Sequence, residues 1–282
     1  MMKVFISADI EGISGVATIR QLTVPGEYSR FRKLMTAEVN AAIRGAFNGG
    51  ATEVVVADGH GNMSNILIEE LDPRARLVSG NNRVMCQLEG LDESFDAIAF
   101  VGHHGREGES HAVISHTLAG ICVKEIRING TIVGETEMNA MVAGHFRVPA
   151  VFISGDDLYV REVMETLPNV KSVVTKYAKD RLAAELLSPS GVQSEIEEQM
   201  AAALQDTEAA VPYEHEGPVT FEIEFKGPQQ AHMTTTLPTV EAMSPTRIRF
   251  TCKDMVSAYK HMWGCVIIAM AATNGVLGDA NV

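Results

Sequence analysis

Short apolar runs in this chain break off, one after another, at acidic or imidazole side chains. Val4-Phe5-Ile6 leads to Asp9 and Glu11 in SADIEGISGV, and Val54-Val55-Val56 leads to His60 in ADGHGN. Ala97-Ile98-Ala99-Phe100-Val101 leads to the doublet His103-His104 in VGHHG. Glu135 closes the turn-containing IRINGTIVGE, and His116 lies in the apolar stretch AVISHTL. Runs of this length bounded by glycine read as buried strands of a parallel sheet. Open α/β sheets hold their ligands beyond the carboxyl ends of such strands. Side chains scattered over the first half of the chain are therefore expected to meet at one sheet edge, in the layout of a metal site.

Helical signals separate these strands. In YSRFRKLMTAEVNAAIRGAFNGG, Phe31, Leu34, Met35, Val39, Ala42, Ile43 and Phe47 keep helical spacing, and Gly49-Gly50 supplies the stop. A short helix is expected in NMSNILIEEL, a weaker strand in ARLVSG and a helical piece near RVMCQLEGL. Asn129-Gly130 between β-rich arms signals a hairpin, and a helix in TEMNAMVAGHF then leads to the apolar strand PAVFISGDD. The reading is an α/β domain over residues 1–156, a mostly parallel sheet with flanking helices. Residues 157–282 read as a C-terminal α+β portion that supports or covers the first and serves in oligomerisation. Helices are expected there in DLYVREVMETL, DRLAAELLSP and SGVQSEIEEQMAAALQD, antiparallel strands in VTFEIEF and TRIRFTC, and a long apolar helix from Met255 to about Thr273.

Bulk properties exclude more than they select. Hydrophobic residues make up 46% and charged residues 21%, the balance of a folded globular chain. A net charge of −13 argues against a nucleic-acid partner, which requires a basic face. No segment approaches the roughly 18 apolar residues of a bilayer span, so no membrane partner is expected. The N-terminus lacks a charged region followed by a long apolar one, so no secretory signal is expected. Cys86, Cys122, Cys252 and Cys265 are scattered and form no C-x-x-C. Reduced core thiols and a cytoplasmic location follow as expectations.

Asp9 and Glu11 are two apart, and on a strand such residues share a face. The plainer alternative is a polar strand end before the turn residues Gly12 and Gly15. Of His103 and His104, at most one faces the site, because neighbouring residues on a strand point apart. Glu135 is favoured by the helix N-terminus with or without a metal, and His116 reads equally well as a core histidine bonded to carbonyls. His111, His145, His215, His232 and His261 have no evident ligand partners. Mixed carboxylates and imidazoles suit zinc, sometimes manganese or cobalt. The set exceeds what a single tetrahedral catalytic zinc takes, and suits two ions about 3.5–4 Å apart. H-E-x-x-H, G-x-S-x-G, the P-loop pattern and G-x-G-x-x-G after a strand are all missing from the sequence.

SADIEGISGV, DGHGNM, GHHG, ISHTLAG, VGETEMNA and VFISGDD, in this order and spacing, resemble the DppA family of D-aminopeptidases. The resemblance runs from about residue 2 to near Thr273. It implies a dinuclear zinc aminopeptidase acting on short peptides, with Asp9, Glu11, His60, His104 and Glu135 as ligands of two Zn2+ ions per subunit and His116 as the catalytic residue. It also implies D-amino-acid dipeptide substrates and a high-order homo-oligomer, a decamer built from pentamers. Asp9, first after its strand, is the expected bridging carboxylate. The ligand types alone also fit an L-aminopeptidase, an amidohydrolase or a phosphoesterase, the last disfavoured because only Arg106 lies beside the motifs. A non-catalytic peptide-binding accessory protein is the rival from another class. Arg106, Glu107, Asp156 and Asp157 are the nearest candidates for substrate contacts.

Overall fold

The computed structural model describes residues 1–206, 210–273 and 275. Two sheets organise them, one in each of two compact units. The first unit comprises residues 1–105, 109–115 and 139–214, and the second comprises 106–108, 116–138 and 215–282.

The first unit carries the expected α/β sheet. Strands β1 (Met2–Ala8), β2 (Ala51–Asp58), β3 (Ala75–Val78), β4 (Ala97–Val101), β7 (Ala150–Asp156), β8 (Lys171–Asp180) and β9 (Ala183–Leu186) lie in the order β3-β2-β1-β4-β7-β8-β9. All pairings are parallel except the last, β8 with β9. The central strands are buried on both faces, which is why they read as unbroken apolar runs rather than alternating ones. Helix α2 (Pro25–Asn48) and helix α5 (Pro189–Gln205) pack on each other against the sheet, burying Met35, Val39 and Ile43 with Val192, Ile196 and Met200. Helix α4 (Asp157–Thr166) packs on β7 and β8.

The second unit is an antiparallel sheet with one covered face. Strands β5 (Val123–Ile128), β6 (Thr131–Ile132), β10 (Val219–Phe225), β11 (Glu241–Ala242) and β12 (Arg247–Cys252) lie in the order β11-β12-β10-β5-β6. Strand β10 alternates buried and half-buried residues along its whole length. Its inward Phe221 stacks on Phe250 of β12 at 5.5 Å, and its outward Glu224 pairs with Lys124 and Arg247. The β5–β6 hairpin turns at Asn129-Gly130, both at positive φ (49° and 86°). Helix α6 (Pro228–Thr234) and helix α7 (Met255–Thr273) lie on this sheet. Helix α7 is, contrary to expectation, long and apolar enough by composition to cross a bilayer, but 44% of that window is buried inside the protein. Met255, Tyr259, Met262 and Val266 form its buried stripe, so packing accounts for its apolarity.

Three expectations fail. The division does not fall at residue 156: β8, β9 and α5 extend the first sheet, and the chain passes between units within helix α3 (Glu135–His145). Residues 61–71 form turns rather than a helix. DRLAAELLSP, rich in helix formers, supplies edge strand β9 instead, because β8 offers it a free edge to pair with.

Candidate metal centre

Strands β2, β1 and β4 are adjacent and parallel, with Ala8 in register with Asp58 on one side and Val101 on the other. The chain therefore leaves all three strands at the same edge. Asp9 and Glu11 follow β1, His60 follows β2 and His104 follows β4. The loops are tied together beyond the strands: Asp9 N–H donates to the Val101 carbonyl at 2.8 Å, Gly12 N–H to Gly102 at 2.8 Å and Gly59 N–H to Ala8 at 2.7 Å.

Four of the expected ligands meet within the first unit. One ligand atom from each of Asp9, Glu11 and His60 lies within 4.8 Å of the other two. His60 Nδ1 is 2.9 Å from Glu11 Oε2 and 3.4 Å from Asp9 Oδ1. The other Asp9 oxygen, Oδ2, is 3.5 Å from His104 Nε2. His104 Nδ1 lies 3.0 Å from the Gly105 carbonyl, which can only accept. A proton on Nδ1 is thereby held by the Gly105 carbonyl, and Nε2 is the nitrogen directed at Asp9, the one a metal would take in place of its proton.

Asp9, Glu11 and His104 are all nearly inaccessible. Burial alone would push the Asp9 carboxyl up, but hydrogen bonds and charge from His104 and His60 outweigh it and hold it well below the usual carboxylate range. Burial likewise pulls His60 down, and the Glu11 and Asp9 carboxylates overcome this and raise it well above an ordinary imidazole. Two carboxylates converging on one imidazole form a donor set of the kind that holds a cation. The donor set is hard oxygen plus imidazole nitrogen, without thiolate, and fits zinc.

The doublet separates by environment. His103 points inward: its Nε2 is 3.3 Å from Ser7 Oγ, its ring meets Phe100 edge-on at 5.4 Å and stacks on Tyr159 at 6.5 Å. A His103 ring nitrogen still comes within 4.8 Å of an Asp9 oxygen.

Glu135 and His116 belong to the second unit. Glu135 is the first residue of α3, which starts one residue earlier than the sequence suggested, and its Oε1 accepts the Leu118 N–H at 2.7 Å. That bond ties the helix start to the SHTLAG loop. His116 is half-buried, with its ring over Gly120, where an added Cβ would come within 3.2 Å of the His116 Cβ. Lys226 Nζ holds the Gly120 carbonyl at 2.6 Å, and Thr117 Oγ1 accepts the Glu107 N–H at 3.1 Å. Asp156 has another task than substrate contact: it is fully buried, caps α4 through Leu158 and Tyr159, and accepts the Val113 N–H.

Several supporting residues escaped the sequence reading. The Asp58 carboxylate accepts backbone N–H groups of Asn65 (2.5 Å) and Ile66 (2.8 Å) and the Asn65 amide (2.8 Å). Asn65 in turn donates to the His60 carbonyl at 2.6 Å and accepts from the Tyr28 hydroxyl. The turn carrying His60 is thereby closed on itself. Asp58 stood in the DGHGN motif, but only the fold reveals that it faces its own loop. Thr175 and Lys176, far along the sequence in β8, also reach the Asp9–Glu11 loop.

Comparison with known proteins finds relatives over nearly the whole chain. The family model described as D-aminopeptidase matches residues 2–264. A D-aminopeptidase of Bacillus subtilis (strain 168) is 36% identical over 271 residues, spanning 95% of this chain and 98% of that protein. A solved structure, of the Zn-dependent D-aminopeptidase DppA from Bacillus subtilis, described as a self-compartmentalizing protease, matches with a TM-score of 0.91 at 36% identity, over 95% of this chain and 98% of that one. On sequence and on fold alike, the chain belongs to the D-aminopeptidase family.

Proposed function

We propose that this protein is a dinuclear zinc aminopeptidase that removes the N-terminal residue of short peptides, D-amino-acid dipeptides in particular. The observation that carries the proposal is the convergence of Asp9, Glu11, His60 and His104 at the carboxyl edge of three adjacent strands. The relatives, named as D-aminopeptidases and as Zn-dependent, support the metal and the reaction.

Asp9 would be the carboxylate shared by the two ions, a reading supported by its two oxygens facing different imidazoles. Glu11 and His60 would hold one ion and His104 the other, with Glu135 the fifth ligand that the family resemblance implies. Bound zinc supplies a Lewis acid for the scissile carbonyl and lowers the pKa of a water toward about 7. His116 handles protons and charge at the reacting carbonyl, as general acid–base or as a donor to the developing oxyanion. The Glu135–Leu118 bond fixes the loop from which His116 projects. Chirality is read by pocket shape, and one methyl placement is worth only about 1–3 kcal/mol in an apolar pocket.

The self-compartmentalizing relative supports assembly of this chain into a high-order homo-oligomer, a decamer in our reading. Four free cysteines, three of them buried, support a reducing, cytoplasmic setting.

The test is hydrolysis of D-Ala-D-Ala and L-Ala-L-Ala after EDTA dialysis and after zinc reconstitution. Loss with EDTA, recovery with Zn2+ and faster D-cleavage are expected. Full activity in metal-free protein would end the metallopeptidase reading, and faster L-cleavage would overturn the stereochemical part alone.

A further inference from the structure

Lys176 is a lysine in an unusual place. It lies in β8, wholly buried, and its Nζ donates to the carbonyl oxygens of Glu11 (2.5 Å), Ile13 (2.8 Å) and Val16 (2.8 Å). An ammonium has three protons to give, and here each has a backbone acceptor in a single loop. The preceding residue serves the same loop: Thr175 Oγ1 donates to the Gly12 carbonyl at 2.5 Å. Consecutive strand residues normally point to opposite faces. In this strand the register with β7 slips, Gly155 pairing with Val174 and Asp156 with Lys176, so Thr175 is the extra residue of a bulge. Bulges re-aim side chains in this way. From α2, Glu38 accepts the N–H and hydroxyl of Ser14, at 2.8 and 2.5 Å.

Burying a cation carries a desolvation cost that an apolar side chain of similar length avoids. What Lys176 obtains in return is local. An irregular buried loop has carbonyls that no ladder satisfies, and Lys176 gathers three of them around one point. That gathering bends residues 11–16 back on themselves directly after Asp9, and turns the Glu11 side chain toward His60.

We propose that Lys176 is a positioning residue for the metal centre, its ammonium and the bulge at Thr175 holding the 11–16 loop in the conformation that presents Asp9 and Glu11 to His60. The proposal rests on the reading of Asp9 and Glu11 as zinc ligands. It makes metal affinity and ligand geometry, rather than fold stability, the properties that Lys176 controls.

The experiment compares the full-length wild type with Lys176→Met and Thr175→Val. Circular dichroism reports folding, competition against a chromophoric chelator reports zinc stoichiometry and Kd, and Co2+ substitution reports ligand geometry through its visible absorption. Lys176→Met is expected to fold, to bind zinc at least about tenfold more weakly, and to shift and weaken the Co2+ bands, in the range seen when residues supporting metal ligands are lost. Thr175→Val, nearly isosteric, should move both readouts in the same direction by a smaller amount. A folded Lys176→Met protein with wild-type zinc Kd and Co2+ spectrum overturns the proposal. If Lys176→Met does not fold, Thr175→Val decides: unchanged Kd and spectrum overturn the proposal, and weakened binding with an altered spectrum upholds it. A wild type that binds no zinc would instead remove the metal site itself, an outcome distinct from variants that match a zinc-binding wild type.

Discussion

The Cα of Gly12 faces the backbone carbonyl of His103 so closely that a Cβ at Gly12 would stand 1.7 Å from that oxygen. The loop carrying Asp9 and Glu11 thus lies directly against the loop carrying His104, closer than any side chain permits. Gly12→Ala is expected to force the loops apart, because the obstacle is backbone and cannot rotate away. Overpacking of this kind costs on the order of 1–3 kcal/mol or more. Urea denaturation should show that loss, and zinc titration a reduced stoichiometry. A variant with wild-type stability and two bound ions would refute the close approach.

Asp9 and Glu11 differ in what they face. Asp9 Oδ1 and Oδ2 address His60 and His104 separately, whereas Glu11 addresses His60. Asp9→Asn should therefore lower zinc content below one ion per subunit, and Glu11→Gln should leave about one. Metal analysis of dialysed protein separates the two outcomes, and equal loss in both variants would argue against Asp9 as the bridge.

The Asp58 carboxylate bonds Asn65 and Ile66, and so closes the turn that carries His60. Asp58→Asn removes a charge and one acceptor from that turn. Supporting residues of this kind are worth about 10–100-fold in metal affinity. The expected result is a zinc Kd raised by that factor with the fold intact, measured by chelator competition. An unchanged Kd would show that the turn holds without it.

Much of this site was legible in the sequence because its ligands follow strand runs that are apolar throughout. Such runs mark strands buried on both faces, and the residue after each run has little freedom to be elsewhere than the sheet edge. Glu135 was equally visible, at a helix start after a hairpin with its Asn-Gly turn. Lys176 and Thr175 were not. Their role depends on a one-residue slip between β7 and β8, and nothing in VVTKYAKD announces a bulge. The edge strand β9 was misread for a related reason: Ala183, Ala184, Glu185 and Leu186 prefer a helix locally, and only pairing with β8 overrides them.

His116 is expected to act on the reaction and not on the metals. His116→Ala should lower kcat by about 10²–10⁴-fold, the usual contribution of a positioned acid–base group, while zinc stoichiometry stays at the wild-type value. Loss of metal together with activity would make His116 a ligand, and wild-type kcat would remove it from the mechanism.

Glu38 gives the fold a pH dependence independent of the reaction. Burial pushes its carboxyl from an ordinary 4.5 up to about 7, against the pull of the Ser14 hydrogen bonds and the charge of Lys176. A folded-state pKa above the unfolded one means that the folded protein holds this proton more tightly. The stabilisation is therefore complete below about pH 4.5 and is lost as pH rises through 7. Glu38→Gln keeps an acceptor for Ser14 and removes the ionisation. Relative to wild type, the variant should gain stability between pH 5 and pH 8, by on the order of 1–3 kcal/mol. Urea melts of both zinc-free proteins at these two pH values measure it. A stability difference between variant and wild type that is the same at both would show that Glu38 is already ionised in the folded protein at pH 5.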